Sequence, residues 1–166
     1  MSEASQRAVI AFLSDPATHG GAAVERVDTH ISRLFLAGGR AWKLKRAIRT
    51  NYLDFTTLGL REASCRRELE VNAGAGELYL GVVPVVRRGG RLRLGGEGEP
   101  VDWLVEMRRF DRSRELDRLC EGGALDRATV ERLADTVAAL HARAPETPGF
   151  ARRHDPRPLC PLRRSR

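Results

Sequence analysis

The chain has 166 residues, of which 42% are hydrophobic and 31% charged, with a formal net charge of +7. This length and balance predict one domain with a real core, and no apolar run approaches the roughly 18 residues that a membrane helix needs. The N-terminus lacks the basic start and apolar stretch of a signal peptide, so we expect a cytoplasmic protein without a membrane partner. Cys65, Cys120 and Cys160 form no CxxC pair, which argues against a zinc site or a disulfide framework.

The positive charge is concentrated near the C-terminus. Six arginines and one aspartate lie in residues 151–166 and account for five of the seven net positive charges. That segment contains no aromatic residue, and the rest of the chain is close to balanced. This distribution argues against a nucleic-acid surface built into the fold.

Hydrophobic periodicity and turn residues predict an α+β arrangement. In chain order they predict a helix over 5–13, strands over 24–27, 31–37 and 41–48, a helix over 57–73 capped by Thr56 or Thr57, strands over 79–86, 92–94 and 101–107, and helices over 115–120 and 126–144. The strands are expected to form an antiparallel sheet of about five strands crossed by one helix. The loop over 51–56 is expected to be anchored by three buried residues, Tyr52, Leu53 and Phe55. The last helix has an apolar stripe, formed by Val130, Leu133, Val137 and Leu140, which is expected to be exposed and prone to association.

Two lysines stand close together in a chain whose other 27 basic residues are arginines. Lys43 and Lys45 point to the same face of a predicted strand, because side chains repeat every two residues. The presence of two lysines in a chain so rich in arginine suggests a site that needs a compact ammonium group, such as a site that holds a nucleotide phosphate. Two charges on a solvent-facing strand are the alternative.

Several short segments carry, in order and spacing, a resemblance to a known family. They are Val27-Asp28-Thr29-His30-Ile31-Ser32, Leu34-Phe35-Leu36, Trp42-Lys43-Leu44-Lys45-Arg46, Tyr52-Leu53-Asp54-Phe55-Thr56-Thr57-Leu58, Cys65, Glu68-Leu69, Asn72, Leu78-Tyr79-Leu80-Gly81-Val82-Val83-Pro84-Val85 and Glu106-Met107-Arg108-Arg109-Phe110. Over about residues 8–150 the chain resembles the N-terminal part of bacterial aminoglycoside phosphotransferase-family proteins, the type often fused to a P-loop ATP-binding domain. The resemblance implies a protein-kinase-like small lobe.

The resemblance also implies an ATP site built around a lysine on the third strand, which a carboxylate on the following helix orients. Lys43 is favoured over Lys45 for contact with the nucleotide, although the sequence leaves both open. Glu68 is the expected carboxylate, because it borders the apolar side of its helix. A surface glutamate paired with Arg61 or Arg67 is the alternative.

The remaining site residues lie in a loop and at a strand end. Thr29 and Ser32, between the first two strands, are expected to offer hydroxyls and backbone amides to phosphates, with ordinary turn polarity as the alternative. Glu106, Met107 and Arg108 fall where the resembled fold pairs backbone groups with adenine. Mg²⁺ is expected only in a complete enzyme.

The predicted organisation is a kinase-like small lobe over 1–110, the first helices of a large lobe over 111–150, and an Arg- and Pro-rich tail over 151–166. A His-Gly-Asp-like catalytic segment is not found after Pro148, so we expect a chain that binds ATP but is inactive alone. A truncated or frameshifted product is the hypothesis, and a separately encoded large lobe is an alternative partner. A non-catalytic module that uses the basic tail to bind an acidic partner or nucleic acid is the alternative function.

Overall fold

A computed structural model gives the fold of the chain and describes residues 6–74, 76–111, 113 and 115–144. Within these ranges it has four α-helices and six strands, which confirms the predicted α+β class. The helices are α1 (Arg7–Ser14), α2 (Leu58–Val71), α3 (Leu116–Glu121) and α4 (Arg127–Arg143). The strands are β1 (Val24–Asp28), β2 (Ser32–Ala37), β3 (Arg40–Lys45), β4 (Tyr79–Arg88), β5 (Arg91–Leu94) and β6 (Glu99–Arg108).

All of these strands join one antiparallel sheet in the order β1-β2-β3-β6-β4-β5. The sheet has one strand more than the five expected, because β5 pairs with β4 from Val85 to Arg88. The last strand of the described residues, β6, lies between β3 and β4 and therefore occupies an interior position. Residues on β6 can consequently contact elements from both halves of the fold.

One face of the sheet packs against α1. Side chains alternate between faces along each strand, so every second residue meets α1 in a single apolar cluster. Its buried members are Val9, Leu13, Phe35, Ala37, Trp42, Leu44, Val85 and Leu104. Lys43 and Lys45 alternate with Trp42 and Leu44 on β3 and point to the opposite face, where α2 lies.

Helix α2 crosses the sheet against β6. Thr57 caps its start, as one of the two predicted alternatives, by accepting a hydrogen bond from the Leu60 N–H at 3.2 Å. Arg61, Cys65 and Glu68 lie on one face of the helix, because their spacing follows the helical repeat. Arg61 and Cys65 are fully buried against the sheet.

A buried ion pair joins α2 to the interior of the sheet. Arg61 Nε donates to Asp102 Oδ1 at 2.7 Å, and both side chains are 0% exposed. Gln6, also buried, donates from Nε2 to Asp102 Oδ2 at 2.8 Å and to the Lys45 carbonyl at 2.9 Å. Its Oε1 accepts from the Ala47 N–H at 2.9 Å. The network therefore links the start of α1, the end of β3, α2 and β6.

The segment between β3 and α2 differs from its prediction. Strand β3 ends at Lys45 rather than at residue 48, and an isolated bridge between Arg49 and Asp54 follows it. Phe55 is buried, but Tyr52 is 74% exposed, so its prediction as a buried anchor was wrong. A hydrogen bond from α2 holds Phe55 in place, because Arg61 Nη1 donates to the Phe55 carbonyl at 3.0 Å.

Helix α4 carries the exposed apolar stripe that the sequence predicts. Asp126 caps the helix through its side chain. The stripe residues are 47%, 39%, 40% and 42% exposed at Val130, Leu133, Val137 and Leu140. No residue of α4 is fully buried in the described part of the chain.

The other predictions concern cysteines, membranes and the C-terminal tail. Cys65 is a buried free thiol, and Cys120 is an exposed one. None of the helices in the described ranges has the length and apolar content needed to cross a bilayer. The predicted tail over 151–166, with Cys160, and the end of the predicted 111–150 segment lie outside the described residues.

Neutralising one member of the buried ion pair is expected to destabilise the fold. Arg61→Met or Asp102→Asn leaves the partner charge buried without its counter-ion, which typically costs about 3–5 kcal/mol. Urea unfolding followed by circular dichroism measures this loss. The exposed pair Arg67–Glu70 is the control, because Glu70→Gln should change the unfolding free energy by less than about 0.5 kcal/mol. Equal losses at both pairs would contradict the role given to the buried one.

The exposure of the apolar stripe on α4 is tested by comparing a Val→Ala substitution in the core with one in the stripe. Val85→Ala removes two methyl groups from a fully buried site and is expected to cost about 1–3 kcal/mol of unfolding free energy. Val137→Ala should change it by less than about 0.5 kcal/mol, because the side chain is 40% exposed and alanine has the higher helix propensity. A large loss at Val137 would mean that the stripe is covered in solution.

Candidate functional site

A cleft of about 550 Å³ opens on the face of the sheet that carries the lysines. Most of its walls are apolar, with Leu34, Leu36 and Ala41 supplied by β2 and β3. Tyr79 of β4 and Met107 of β6 also line it. The sheet order brings these residues together, because β6 lies beside β3 and pairs with β4 on its other edge.

Both lysines bind one carboxylate from α2. Lys43 Nζ donates to Glu68 Oε1 at 2.8 Å, and Lys45 Nζ donates to Glu68 Oε2. The structure thus brings together three of the residues singled out in the sequence. The alternative of a surface Glu68 paired with Arg61 or Arg67 was wrong, since each of these arginines bonds another carboxylate.

The two lysines differ in their access to the cleft. Lys43 lines the cleft, and its side chain is 26% exposed. Lys45 is one full strand repeat further along, with a side chain that is 6% exposed and an ammonium 5.5 Å from the centre of the Phe55 ring. The two lysines of one strand face thus have different surroundings, because Lys43 faces the cleft and Lys45 faces α2 and Phe55.

The two ammonium groups keep the carboxylate ionised. Burial on its own would raise the pKa of Glu68, but the hydrogen bonds and charges of Lys43 and Lys45 outweigh burial and lower that pKa from its ordinary value of 4.5. With one negative and two positive side chains, the cluster has an excess of one positive charge. Such an excess at the wall of an apolar cleft favours an anionic ligand.

Two further ionisable groups beside the cluster remain protonated at neutral pH. Burial raises the pKa of the Cys65 thiol from 9.0 to about 12, so this buried cysteine is not a nucleophile. Burial also raises the pKa of the Tyr79 phenol above 10.0, and the charge of Glu68 adds to this increase. The lysines are therefore the cationic groups of the cluster, and Tyr79 supplies a neutral hydroxyl.

The loop between β1 and β2 gives Thr29 and Ser32 different surroundings. The Thr29 hydroxyl donates to the Ser32 carbonyl at 2.9 Å and accepts from the Ser32 N–H at 3.0 Å, which closes the turn. Arg46 Nη1 donates to the carbonyls of Thr29 and His30 at 3.1 and 3.2 Å. The Ser32 hydroxyl is buried and has no hydrogen-bond partner within the described residues. Thr29 thus serves the turn, whereas Ser32 retains its hydrogen-bonding capacity.

Glu106, Met107 and Arg108 form the last three residues of β6. All three are in register with β3, so their backbone belongs to the sheet rather than to a free linker. Met107 and Arg108 line the cleft, whereas the Glu106 carboxylate pairs with Arg40 at 2.9 Å. Backbone beyond the strand begins at Arg109, whose N–H donates to the β2–β3 turn at 2.9 Å.

Some cleft residues were missed by the sequence analysis. Ala41 could have been found, because it precedes Lys43 by two positions on the same strand and therefore shares its face. Tyr79 and Phe110 gave no such signal, since they reach the cleft through the sheet order and the path of the chain after β6. Within the described ranges, no group of three or more His, Cys, Asp or Glu side chains is placed to hold a metal ion.

Comparisons with known proteins identify mycobacterial relatives whose names carry no function. The chain is 34% identical over 118 residues to the uncharacterized protein Rv2004c of Mycobacterium tuberculosis (strain H37Rv). The alignment covers 70% of this chain and 22% of the relative. The uncharacterized proteins MT2060 of M. tuberculosis (strain CDC 1551) and Mb2027c of Mycobacterium bovis match to the same extent, so the chain spans 22% of the length of each. No protein-family model matches the chain, and no solved structure matches it significantly.

The ion pairs of Glu68 predict a stability difference that depends on pH. Because the folded-state pKa of Glu68 is lowered, its ionised form contributes stability that is present above the pKa of the unfolded chain and is lost as pH falls through the folded value. The advantage of wild type over Glu68→Gln should therefore be constant near neutral pH and shrink below about pH 4.5. Urea titrations across this range measure it. An advantage that grows on acidification would show that the lysines do not hold Glu68 in its ionised form.

Proposed function

We propose that the cleft binds ATP and that the described fold is the small lobe of an aminoglycoside phosphotransferase-like kinase. The observation that carries the proposal is the Lys43 ammonium, which lines the cleft and is held 2.8 Å from the carboxylate of Glu68 on the crossing helix. A complete enzyme of this kind would transfer a phosphoryl group from ATP to a hydroxyl. Nucleotide binding without phosphoryl transfer is the activity proposed for this chain alone.

Phosphoryl transfer requires fixed positive charge more than covalent chemistry from the protein. Kinases position the triphosphate and neutralise its developing charge with preorganised cations and metal ions. Lys43 suits this task, because Glu68 holds its ammonium beside the cleft before a nucleotide binds and because Lys45 leaves the cluster with an excess positive charge. Mg²⁺ enters the proposal as the ion that accompanies ATP in a complete enzyme, where a large lobe would supply its ligands.

The remainder of the cleft suits the base of a nucleotide. Aliphatic side chains from β2 and β3 form one wall, and Met107 and Tyr79 lie across from them in the sheet order. A planar base binds favourably between apolar surfaces, and a few backbone groups then fix its orientation. Because residues 106–108 pair with β3 and the Arg109 N–H donates to the Gly39 carbonyl, the backbone groups proposed for adenine are the Arg109 carbonyl and those of Phe110, and both residues line the cleft.

The ATP site is tested by removing both lysines. Lys43→Ala/Lys45→Ala is expected to weaken binding of Mg-ATP about tenfold or more, because the phosphates lose the positive charge that faces them. Isothermal titration calorimetry measures the affinity, and circular dichroism establishes that the variant is folded. A folded double variant that binds as well as the parent would show that the site is misassigned.

Arg87→Gln/Arg91→Gln is the matched control. It also removes two positive charges, but from the exposed β4–β5 hairpin, and neither Arg87 nor Arg91 lines the cleft. Its affinity for Mg-ATP should stay within about threefold of the parent at physiological salt, where charges beyond about 8 Å are screened. Equal losses in both variants would indicate a response to net charge rather than a site.

A further inference from the structure

We propose that Lys45 is a positioning residue that acts as the lasting counter-ion of Glu68, so that Lys43 is free to move its ammonium onto the phosphates of a bound nucleotide. The inference rests on the proposed function and divides the work of the site between the two lysines. It assigns the phosphate contact to Lys43 alone.

Burial separates the two ammonium groups. Lys45 Nζ is enclosed by Glu68 and the Phe55 ring, and its side chain is 6% exposed. Lys43, on the same face of β3, is 26% exposed and lines the cleft. A ligand in the cleft therefore meets the ammonium of Lys43, whereas that of Lys45 stays against α2.

The charge of Glu68 explains why a second lysine is needed. The Glu68 side chain is 13% exposed, and a carboxylate so largely removed from water is stable only while a cation and hydrogen bonds compensate it. If Lys43 were the single partner of Glu68, every movement of its ammonium toward a phosphate would leave the carboxylate unpaired. Lys45 bonds the other carboxylate oxygen, so Glu68 keeps a counter-ion when Lys43 moves.

The same geometry explains why both positions are lysine in a chain with 27 arginines. A guanidinium can take both oxygens of a carboxylate in a bidentate pair and frequently does so. An ammonium is a compact charge that can bond one oxygen, and here each lysine bonds a different oxygen of Glu68. Two cations can therefore share one carboxylate, and one of them can leave without disturbing the other.

The lysine content of the chain makes a direct measurement practical. Protein labelled with ¹³C-lysine gives two side-chain Cε signals, because Lys43 and Lys45 are the two lysines of the sequence. Single substitutions assign the signals. Tripolyphosphate is expected to shift the Lys43 signal and to leave the Lys45 signal in place. A shift confined to Lys45, equal shifts of both signals, or no shift of Lys43 would overturn the proposal.

A rescue experiment tests the mechanism through binding. Lys45→Met should weaken tripolyphosphate binding about tenfold, because Glu68 then retains Lys43 as its only counter-ion. Lys45→Met/Glu68→Gln should restore the affinity to within about threefold of wild type, since no carboxylate on α2 holds Lys43 any longer. If the double variant binds as weakly as Lys45→Met while circular dichroism shows it folded, Lys45 contacts the anion itself and the proposal is wrong.

The two probes separate this inference from the nucleotide site on which it rests. Mg-ATP is titrated in parallel with tripolyphosphate into each variant. One outcome is that Lys45→Met/Glu68→Gln recovers its affinity for tripolyphosphate while ATP binds no more tightly than tripolyphosphate. This would support the separate roles of Lys43 and Lys45 and count against an adenine site. ATP binding that exceeds tripolyphosphate binding but shows no rescue would support the nucleotide site and overturn the division.

Discussion

The ion pair between Arg61 and Asp102 is the contact on which the geometry of the cleft depends. Asp102 lies on the interior strand β6 and accepts from Arg61 Nε, from Gln6 Nε2 and from the Trp103 N–H. Arg61 in turn donates to the Phe55 carbonyl, in the segment that enters α2. One carboxylate thus joins two helices, a loop and a strand, and α2 cannot slide or rotate without leaving a buried charge unpaired.

This constraint explains how Glu68 reaches the lysines. Glu68 lies on the same face of α2 as Arg61, about 10 Å further along the helix axis. The desolvation of two buried charges offsets much of their attraction, and the Arg61–Asp102 pair holds α2 in a register that leaves neither charge unpaired. In that register the Glu68 carboxylate meets Lys43 and Lys45 from across the sheet. The Lys43 ammonium is therefore placed beside the cleft by its own strand and by a helix that is itself anchored.

The sequence predicted most of the elements, because their signals are local. Short apolar and β-branched runs bounded by turn residues identified the strands, and the Thr57 and Asp126 caps marked where α2 and α4 begin. Tyr52 was wrongly placed inside, because an aromatic residue in a loop carries no periodic signal to show which way it points. Gln6 and Asp102 were missed for a related reason, since a polar residue in a helix or strand reads as exposed until its distant partner is known.

The sequence by itself determined that Lys43 and Lys45 share one strand face and that Glu68 borders the apolar side of the next helix. Both statements follow from the strand and helix repeats, which need no information from elsewhere in the chain. The tertiary structure alone decided that both lysines bind the same carboxylate, and that one faces a cleft while the other is buried. Burial depends on which distant segments cover a position. Here Lys45 is covered by Phe55 and α2, and the cleft beside Lys43 forms because β6 lies between β3 and β4. These contacts join segments that are distant in sequence, so no local pattern predicts them.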